Sequence, residues 1–303
     1  MAEDQGVNGD MWNDCAVRLC ELFGWSHIGD KNMDLPGIDN KDHGIDALME
    51  YDSPNIDVRQ SCFIESKRYS TDSVSYAKLR GWIETLRKKL ELFAASQELL
   101  EEFPALEDCC QVNLGIIMCW IHDAPSESYF VDTFNSYLDK AIFNTAPNRQ
   151  SQKRICVFSN PQIIKLCGVA DEITKKDANY KFVYPSQLIE GRPLERTKVL
   201  TIEYALSDII LAERFHEGKN ENVVFFMGQL SIQALNCLHQ ALTLYNFLEK
   251  DKTLVIFYHG STIEKRKIIA EAQRIFDGIN LQMKSLPKFD LSSEPYIINP
   301  AND

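Results

Sequence analysis

The sequence contains no uninterrupted apolar run of about 18 residues or more, which is the length that a membrane-spanning helix needs. Its first residues, MAEDQGVNGDMWND, are acidic and polar. They lack the basic start and the apolar stretch of a secretory signal. The sequence is therefore expected to belong to a cytoplasmic protein with no membrane partner.

Cysteine pairs, nucleotide-binding loops and positive charge are also scarce. None of the nine cysteines forms a CxxC pair, and neither GxGxxG nor GxxxxGK[ST] occurs. A structural zinc site, a dinucleotide site and a P-loop are therefore not supported. The net charge of −12 argues against a protein that coats nucleic acid without specificity. It leaves room for a nuclease, because carboxylates can hold metal ions that supply positive charge locally.

Helical and strand patterns alternate along the 303 residues. Apolar spacing predicts a helix at 10–23 that ends at Gly24, and the polar stretch 26–43 predicts a loop. The further predictions are strands at 45–51, 62–69, 114–120, 154–158, 181–184, 223–227, 253–258 and 280–284, and helices at 74–103, 129–143, 161–175, 202–216, 231–249 and 263–277.

This order of elements predicts an α/β protein with a mixed sheet flanked by helices. The stretch 185–198 carries two prolines, a glycine and many charges, which is typical of a linker. We therefore place a first domain at 1–190 and a smaller α/β domain at 191–303. The second domain is expected to serve regulation, dimerisation or partner binding.

Chemistry is concentrated in the segment HGIDALMEYDSPNIDVRQSCFIESKRY. Side chains alternate faces along a strand, so Glu65 and Lys67 share one face. The turn between the two predicted strands forms a hairpin that brings Asp46 beside Glu65. The bland alternative is a surface salt bridge across a hairpin, a common feature that contributes little stability.

Two carboxylates and an ammonium group suit phosphodiester hydrolysis. Mg²⁺ or Mn²⁺ would take oxygen ligands from Asp46 and Glu65, with the carbonyl of Ser66 as a third candidate. Lys67 would position the attacking water or stabilise the transition state. Asp46, Glu65 and Lys67 are therefore the predicted catalytic residues, and Asp46 and Glu65 are the predicted metal ligands.

The motifs resemble the PD-(D/E)xK superfamily of restriction-endonuclease-like nucleases, in particular its Mrr-like members. The resemblance lies in GID (44–46), ESK (65–67) and LFGW (22–25) at the end of the first helix, and it spans about residues 10–185. It implies a restriction-endonuclease-like fold and Mg²⁺-dependent cleavage of DNA, with double-stranded DNA favoured. It also implies a role in prokaryotic defence against phage, as a homodimer or in a complex with a second defence protein.

One position departs from the family pattern. Many members carry a third acid on the first helix, and alignment on LFGW places it near Asn13. The nearest carboxylates, Asp14 and Glu21, are directed away from the apolar face by helical spacing. The departure mildly supports an alternative function, in which the fold is a non-catalytic subunit that binds a partner protein or nucleic acid.

Residues 66–90 hold seven basic side chains against two acidic ones, a net charge of +5. Arg68, Arg80 and Arg87 are predicted to contact the phosphate backbone of DNA beside the site. The alternative is a solvated helix face.

In the second domain, Gly228 and Gly260 each follow a strand and precede a helix. They predict either anion-binding turns or tight turns capped by Ser231 and by Ser261 or Thr262.

Overall fold

The computed structural model describes residues 7–39, 41–54, 58–93, 96–109, 112–123, 125–145, 153–176, 179–185, 194–263 and 265–299. Within these ranges no helix is long and apolar enough to cross a membrane. The chain forms two compact units, one of Met1–Cys167 with Phe289–Asp303 and one of Gly168–Lys288. The chain passes from the first unit to the second after Cys167 and returns to the first after Lys288, whereas the domain boundary predicted from the sequence lies after residue 190.

The first unit contains the elements α1 (Val7–Leu22), β1 (Ser26–Ile28), β2 (Met33–Pro36), β3 (Asp42–Ile45), β4 (Ala47–Tyr51), β5 (Gln60–Tyr69), α2 (Tyr76–Phe93), α3 (Gln97–Glu102), β6 (Leu114–Ile121), α4 (Asn135–Thr145) and β7 (Arg154–Phe158). Helix α5 (Asn160–Ile173) follows, and the chain passes from the first unit to the second within it. A π-helical turn at Tyr129–Phe134 leads into α4.

A mixed sheet with the order β1-β4-β5-β6-β7 forms the centre of the first unit. Strand β5 pairs antiparallel with β4 and parallel with β6, and β6 pairs parallel with β7. This sheet, with helices along it, confirms the predicted α/β fold class. Strand β6 is apolar and buried on both faces, as expected for a central strand covered by helices. Its neighbour β5 is also mostly buried, although six of its ten residues are polar or charged.

Successive residues of β5 and β6 pack against different helices. Phe63 and Ile117 belong to a core cluster with Leu79, Ile83 and Leu86 of α2. The alternate residue Trp120 instead contacts Trp12 of α1, with ring centroids 5.2 Å apart. Because side chains alternate along a strand, α2 and α1 cover opposite faces of the sheet.

Several predicted elements of the first unit need correction. The expected loop at 26–43 contains β1 and β2 and the start of β3. The expected strand 45–51 is divided between β3 and β4, and the long helix 74–103 is divided into α2 and α3. The helix end at Gly24 is confirmed, because this glycine has φ +82° and its N–H donates to Glu21.

The second unit contains the end of α5 and then β8 (Asn179–Tyr184), β9 (Glu195–Thr197), α6 (Ile202–Ala205), β10 (Ile209–His216), β11 (Lys219–Phe226), α7 (Ile232–Leu244), β12 (Thr253–Tyr258), α8 (Arg266–Ile275) and β13 (Asn280–Ser285). Its sheet has the order β13-β12-β11-β10-β8-β9. Strands β11, β12 and β13 are parallel, which agrees with the predicted alternation of strands and helices.

The predicted helix at 202–216 is wrong beyond Ala205. Strand β10 occupies this stretch and forms a hairpin with β11, closed by Glu217 and Gly218, both of which have positive φ. Tertiary contacts decide the conformation here, because Arg214 of β10 is buried between Glu172 and Glu221. The predicted strand 181–184 exists within β8, but it pairs with β10 in the second unit.

The predicted linker and turns of the second unit are only partly observed. Residues 186–193 lie outside the described part of the chain, and 195–197 form β9. Ser231 caps α7 as predicted, accepting a hydrogen bond from Ala234. The predicted cap of the next helix is wrong, because α8 begins after Lys265, which makes no side-chain capping bond.

Candidate active site

Strand β5 directs its acidic and basic residues to one face of the sheet and its serine to the other. Glu65 and Lys67 alternate with Ser66, and they lie on the face that α2 covers. The Nζ atom of Lys67 lies 3.1 Å from Oε2 of Glu65. Glu65 is 6% exposed, so its charge sits in a largely dry environment next to this ammonium group.

Asp46 lies in the bend between β3 and β4. The last residue pair of the β4–β5 ladder is Ala47 with Ile64, so one further step of the same register sets Asp46 opposite Glu65. Oδ2 of Asp46 accepts a hydrogen bond from the N–H of Ser66 at 2.5 Å and lies 3.9 Å from Nζ of Lys67. The hairpin therefore brings Asp46, Glu65 and Lys67 together, as the sequence predicts.

Asn13 of α1 fixes this bend from the opposite face. Its amide Nδ2 donates to the carbonyl oxygen of Asp46 at 3.1 Å and to Oδ1 of Asn32 at 2.7 Å. Its Oδ1 accepts from the hydroxyl of Ser66 at 3.2 Å. The backbone N–H of Asn32 also donates to the carbonyl of Asp46, at 2.9 Å. The position expected for a third acid is thus occupied by a buried amide that holds Asp46 in place.

The two neighbouring acids of α1 do not take over that role. Asp14 forms an ion pair with Lys31, and Glu21 lies 4.0 Å from Arg18. Both carboxylates are more than a third exposed. This placement agrees with the direction that helical spacing predicts for them.

Lys89 of α2 is a further residue of the site. Its ammonium group contacts Oε1 of Glu65 and donates to the carbonyl oxygen of Gly44 at 2.5 Å. The predicted site residues do not include Lys89, which is one of the seven basic residues at 66–90. A signal was present, because Lys89 is three residues after Leu86 and four before Phe93, on the flank of the buried stripe of α2.

Burial governs the charge state of Asp46. Desolvation raises the pKa of its carboxyl group, and repulsion from Glu65 raises it further. Lys67, the N–H of Ser66 and Lys89 act in the opposite direction without cancelling the rise. The ionised form of Asp46 is therefore held at a free-energy cost, which a bound cation would reduce.

These groups line a cleft of about 410 Å³ in the first unit. Its walls are formed by Gly9, Asp10, Trp12, Asn13, Asn32, Gly44, Ile45, Asp46, Glu65, Ser66, Lys67, Arg68 and Lys89. Among the described residues there is no group of three or more His, Cys, Asp or Glu side chains that could hold a metal ion. Of the three acidic side chains in this wall, Asp10 is exposed, whereas Asp46 and Glu65 both lie within 4 Å of Lys67. The donor set around Lys67 is therefore two carboxylates and backbone oxygen.

That donor set fits a hard divalent cation. Mg²⁺ is commonly bound through one or two carboxylates, with water and substrate phosphate completing its shell. The N–H and C=O of one strand residue point to the same side, so the carbonyl of Ser66 is directed towards Asp46, as its N–H is. The fit requires one change, since both oxygens of Glu65 now contact ammonium groups.

The three arginines expected to contact DNA have different surroundings. Arg68 lines the cleft, and its Nε lies 3.0 Å from Oε1 of Glu294. Arg80 pairs with Glu84 on its own helix at 2.8 Å, and neither Arg80 nor Arg87 lines the cleft. Their contacts with phosphate stay predictions.

Comparison with known proteins adds one strong finding. Residues 1–162, just over half of the chain, match the family model described as the GAPS4 protein PD-(D/E)XK nuclease domain. The match runs from α1 through β7 and includes every residue that lines the cleft. No curated protein matches the chain.

Two solved structures show only faint similarity. One is described as Aa-Ago with externally bound siRNA, at 12% identity and TM-score 0.21, covering 86% of this chain and 40% of that one. The other is the Mos1 strand transfer complex, at 10% identity and TM-score 0.15, covering 72% of this chain and 59% of that one. This chain thus spans less than two thirds of either, and at these TM-scores neither likeness bears on the site.

Proposed function

The chain belongs to the family of the GAPS4 protein PD-(D/E)XK nuclease domain, and on that premise we propose that it is a metal-dependent endonuclease that hydrolyses phosphodiester bonds of DNA. The observation that carries the proposal is the convergence of Asp46, Glu65 and Lys67 at one cleft. A hairpin salt bridge would leave its acids in solvent. Here Glu65 is buried and the pKa of Asp46 is raised by burial, which is typical of functional sites.

Each residue has a distinct task in this proposal. Asp46, Glu65 and the carbonyl of Ser66 would hold Mg²⁺ or Mn²⁺, which when bound lowers the pKa of a water and offsets charge on the phosphate. Lys67 orients the attacking water or stabilises negative charge in the transition state, because its ammonium lies between the two carboxylates. Asn13 fixes the backbone of Asp46, so that the carboxylate does not need to be ordered at each turnover.

The experiment is cleavage of supercoiled plasmid and linear double-stranded DNA with Mg²⁺ or Mn²⁺. Wild type is compared with Lys67→Ala and with Lys88→Ala, which removes the same charge from an exposed position of α2. We expect metal-dependent nicking or cutting that Lys67→Ala abolishes and Lys88→Ala retains. Cleavage that survives Lys67→Ala would refute the assignment of the site, and single-stranded RNA in parallel tests the choice of DNA.

A non-catalytic subunit is the second candidate function. It is favoured by Asn13, which replaces an expected acid with an amide whose hydrogen bonds are structural. Mn²⁺ binding separates the two functions, because a catalytic site should bind the ion and lose it in Asp46→Ala. If wild type neither binds Mn²⁺ nor cuts DNA, the subunit function is the one that stands.

The setting we propose is defence against phage in the cytoplasm of a prokaryote, which rests on the resemblance to restriction-endonuclease-like nucleases. Cells that express wild type should form fewer phage plaques than cells that express Lys67→Ala at equal protein level. Equal plaque counts would contradict this setting.

We further propose that the working form contains two nuclease sites, as a homodimer or with a second defence protein, because cutting both strands requires two cleavages. The second unit, Gly168–Lys288, is the candidate for the contact. Light scattering of the purified chain, alone and on DNA, measures the mass; a monomer that converts plasmid directly to linear DNA would contradict the proposal.

A further inference from the structure

We propose that the ammonium group of Lys89 forms an ion pair with the carboxylate of Glu65 until a divalent metal ion displaces it. By competing for Glu65, Lys89 lowers the affinity of the site for the metal ion. This inference rests on the proposed metal site of Asp46 and Glu65, and it assigns to α2 a part in that site.

The contacts of Lys89 are those of a bound cation. Its ammonium group touches Oε1 of Glu65 and the carbonyl oxygen of Gly44. A carboxylate and a backbone carbonyl are also the oxygen types that a hard divalent ion takes. The side chain of Lys89 is 15% exposed and that of Glu65 is 8% exposed, so the pair is shielded from water. Such a contact is stronger than an ion pair on the surface.

The same contacts compete with a metal ion. Lys67 contacts Oε2 of Glu65 while Lys89 contacts Oε1, so both oxygens of this ligand are already engaged. A divalent ion must therefore release at least one ammonium group before Glu65 can bind it. Two ammonium groups beside a divalent ion would also repel it.

Lys89 is the ammonium group that leaves. Lys67 extends from the same strand as Glu65, two residues away, and lies within 4 Å of both carboxylates. Lys89 enters from α2, across the cleft, on a flexible four-carbon side chain. Withdrawal of Lys89 frees Oε1 of Glu65 and the carbonyl of Gly44 together, whereas withdrawal of Lys67 would remove the residue assigned to the attacking water.

The test is Mn²⁺ binding by the full chain, measured from the electron paramagnetic resonance signal of free Mn²⁺. Lys89→Met removes the competing cation, and Lys88→Met removes an equal charge from the exposed neighbour on α2. Lys89→Arg keeps the charge, and Lys89→Gln repeats the neutralisation should methionine prevent folding. Asp46→Ala reports on the metal site itself.

We expect Lys89→Met and Lys89→Gln to bind Mn²⁺ at least about tenfold more tightly than wild type, the effect of one lost charge-assisted hydrogen bond. Lys88→Met and Lys89→Arg should stay within about threefold of wild type, since neither removes that bond. Equal tightening by Lys88→Met and Lys89→Met would overturn the inference, because general charge would then explain it.

The outcomes also separate this inference from the proposed function. If wild type binds Mn²⁺ through Asp46 and Lys89→Met binds no more tightly, only the role of Lys89 is refuted. If wild type binds no Mn²⁺ and Lys89→Met binds it, the competition between Lys89 and the metal ion is supported directly. If no variant binds Mn²⁺, the metal site fails and the role of Lys89 fails with it.

Discussion

Replacing Asn13 by alanine should destabilise the first unit by about 2–3 kcal/mol, although no carboxylate of the site is changed. The side chain is 3% exposed and makes three hydrogen bonds, to the carbonyl of Asp46, to Asn32 and to the hydroxyl of Ser66. A hydrogen bond of this kind contributes about 1 kcal/mol, and partners left buried without one add to the cost.

Aspartate at the same position tests whether this is a metal-ligand position. In Asn13→Asp the two N–H donors become an oxygen that faces the carbonyl of Asp46 and Oδ1 of Asn32. Two attractive contacts turn repulsive, so the loss should be at least as large as in Asn13→Ala. Mn²⁺ should not stabilise Asn13→Asp more than it stabilises wild type, because the structure uses this position to hold the backbone.

Urea unfolding followed by tryptophan fluorescence measures the effect selectively. All four tryptophans, Trp12, Trp25, Trp82 and Trp120, belong to the first unit. Asn8→Ala, at an exposed position of the same helix, is the matched control. A loss below about 0.5 kcal/mol in Asn13→Ala, the size of an ordinary surface effect, would refute the reasoning. So would a larger Mn²⁺-induced stabilisation of Asn13→Asp than of wild type.

Three further predictions concern packing and charge. Gly115→Ala should lower the free energy of unfolding by about 1–3 kcal/mol through overpacking, because the added Cβ would lie 2.7 Å from Leu86. Gly81→Ala, where the added Cβ meets open space on α2, should raise the free energy of unfolding by about 0.5–1 kcal/mol. Urea midpoints equal to that of wild type in the two variants would contradict both predictions. Without metal, Asp46→Asn should be more stable than wild type at neutral pH, and this difference in stability should shrink as pH falls. The reason is that the pKa of Asp46 is raised in the folded state, so wild type gains stability when Asp46 is protonated. A difference in stability that grows on acidification would contradict this prediction. Arg214→Met should destabilise the second unit by about 3–5 kcal/mol, because it leaves the buried carboxylates of Glu172 and Glu221 without this guanidinium partner. Adding Glu172→Gln and Glu221→Gln to Arg214→Met should restore much of the lost stability, as measured by calorimetry.

The site was predictable where its geometry follows from strand periodicity. Glu65 and Lys67 share a face because they are two residues apart, and Asp46 meets Glu65 because a hairpin has one register. Lys89 depends on how far α2 lies over β5, which is a tertiary property. Its spacing from Leu86 and Phe93 places Lys89 beside the buried stripe of α2, unlike the exposed Lys88, but this spacing does not fix its distance to Glu65.

The errors in the fold have a similar origin. Residues 209–216 include Leu, Ala, Glu and Arg, which favour helices in isolation. Pairing with β11 and burial of Arg214 override that preference. Strands β1 and β2 have three and four residues, too short for a periodic pattern in a segment rich in Gly, Asn and Asp.

The bend at Asp46 has a mechanical consequence. This residue joins β3, which pairs with β2 in a small sheet, to β4, which pairs with β5 in the large one. It therefore acts as a joint between two sheets, and the reach of its carboxylate towards Glu65 varies with the angle between them. Asn32, with φ +55°, and Asn13 clamp that joint through its carbonyl oxygen. A change in the short turn before β2 is thus expected to shift Asp46 relative to Glu65 without replacing either residue.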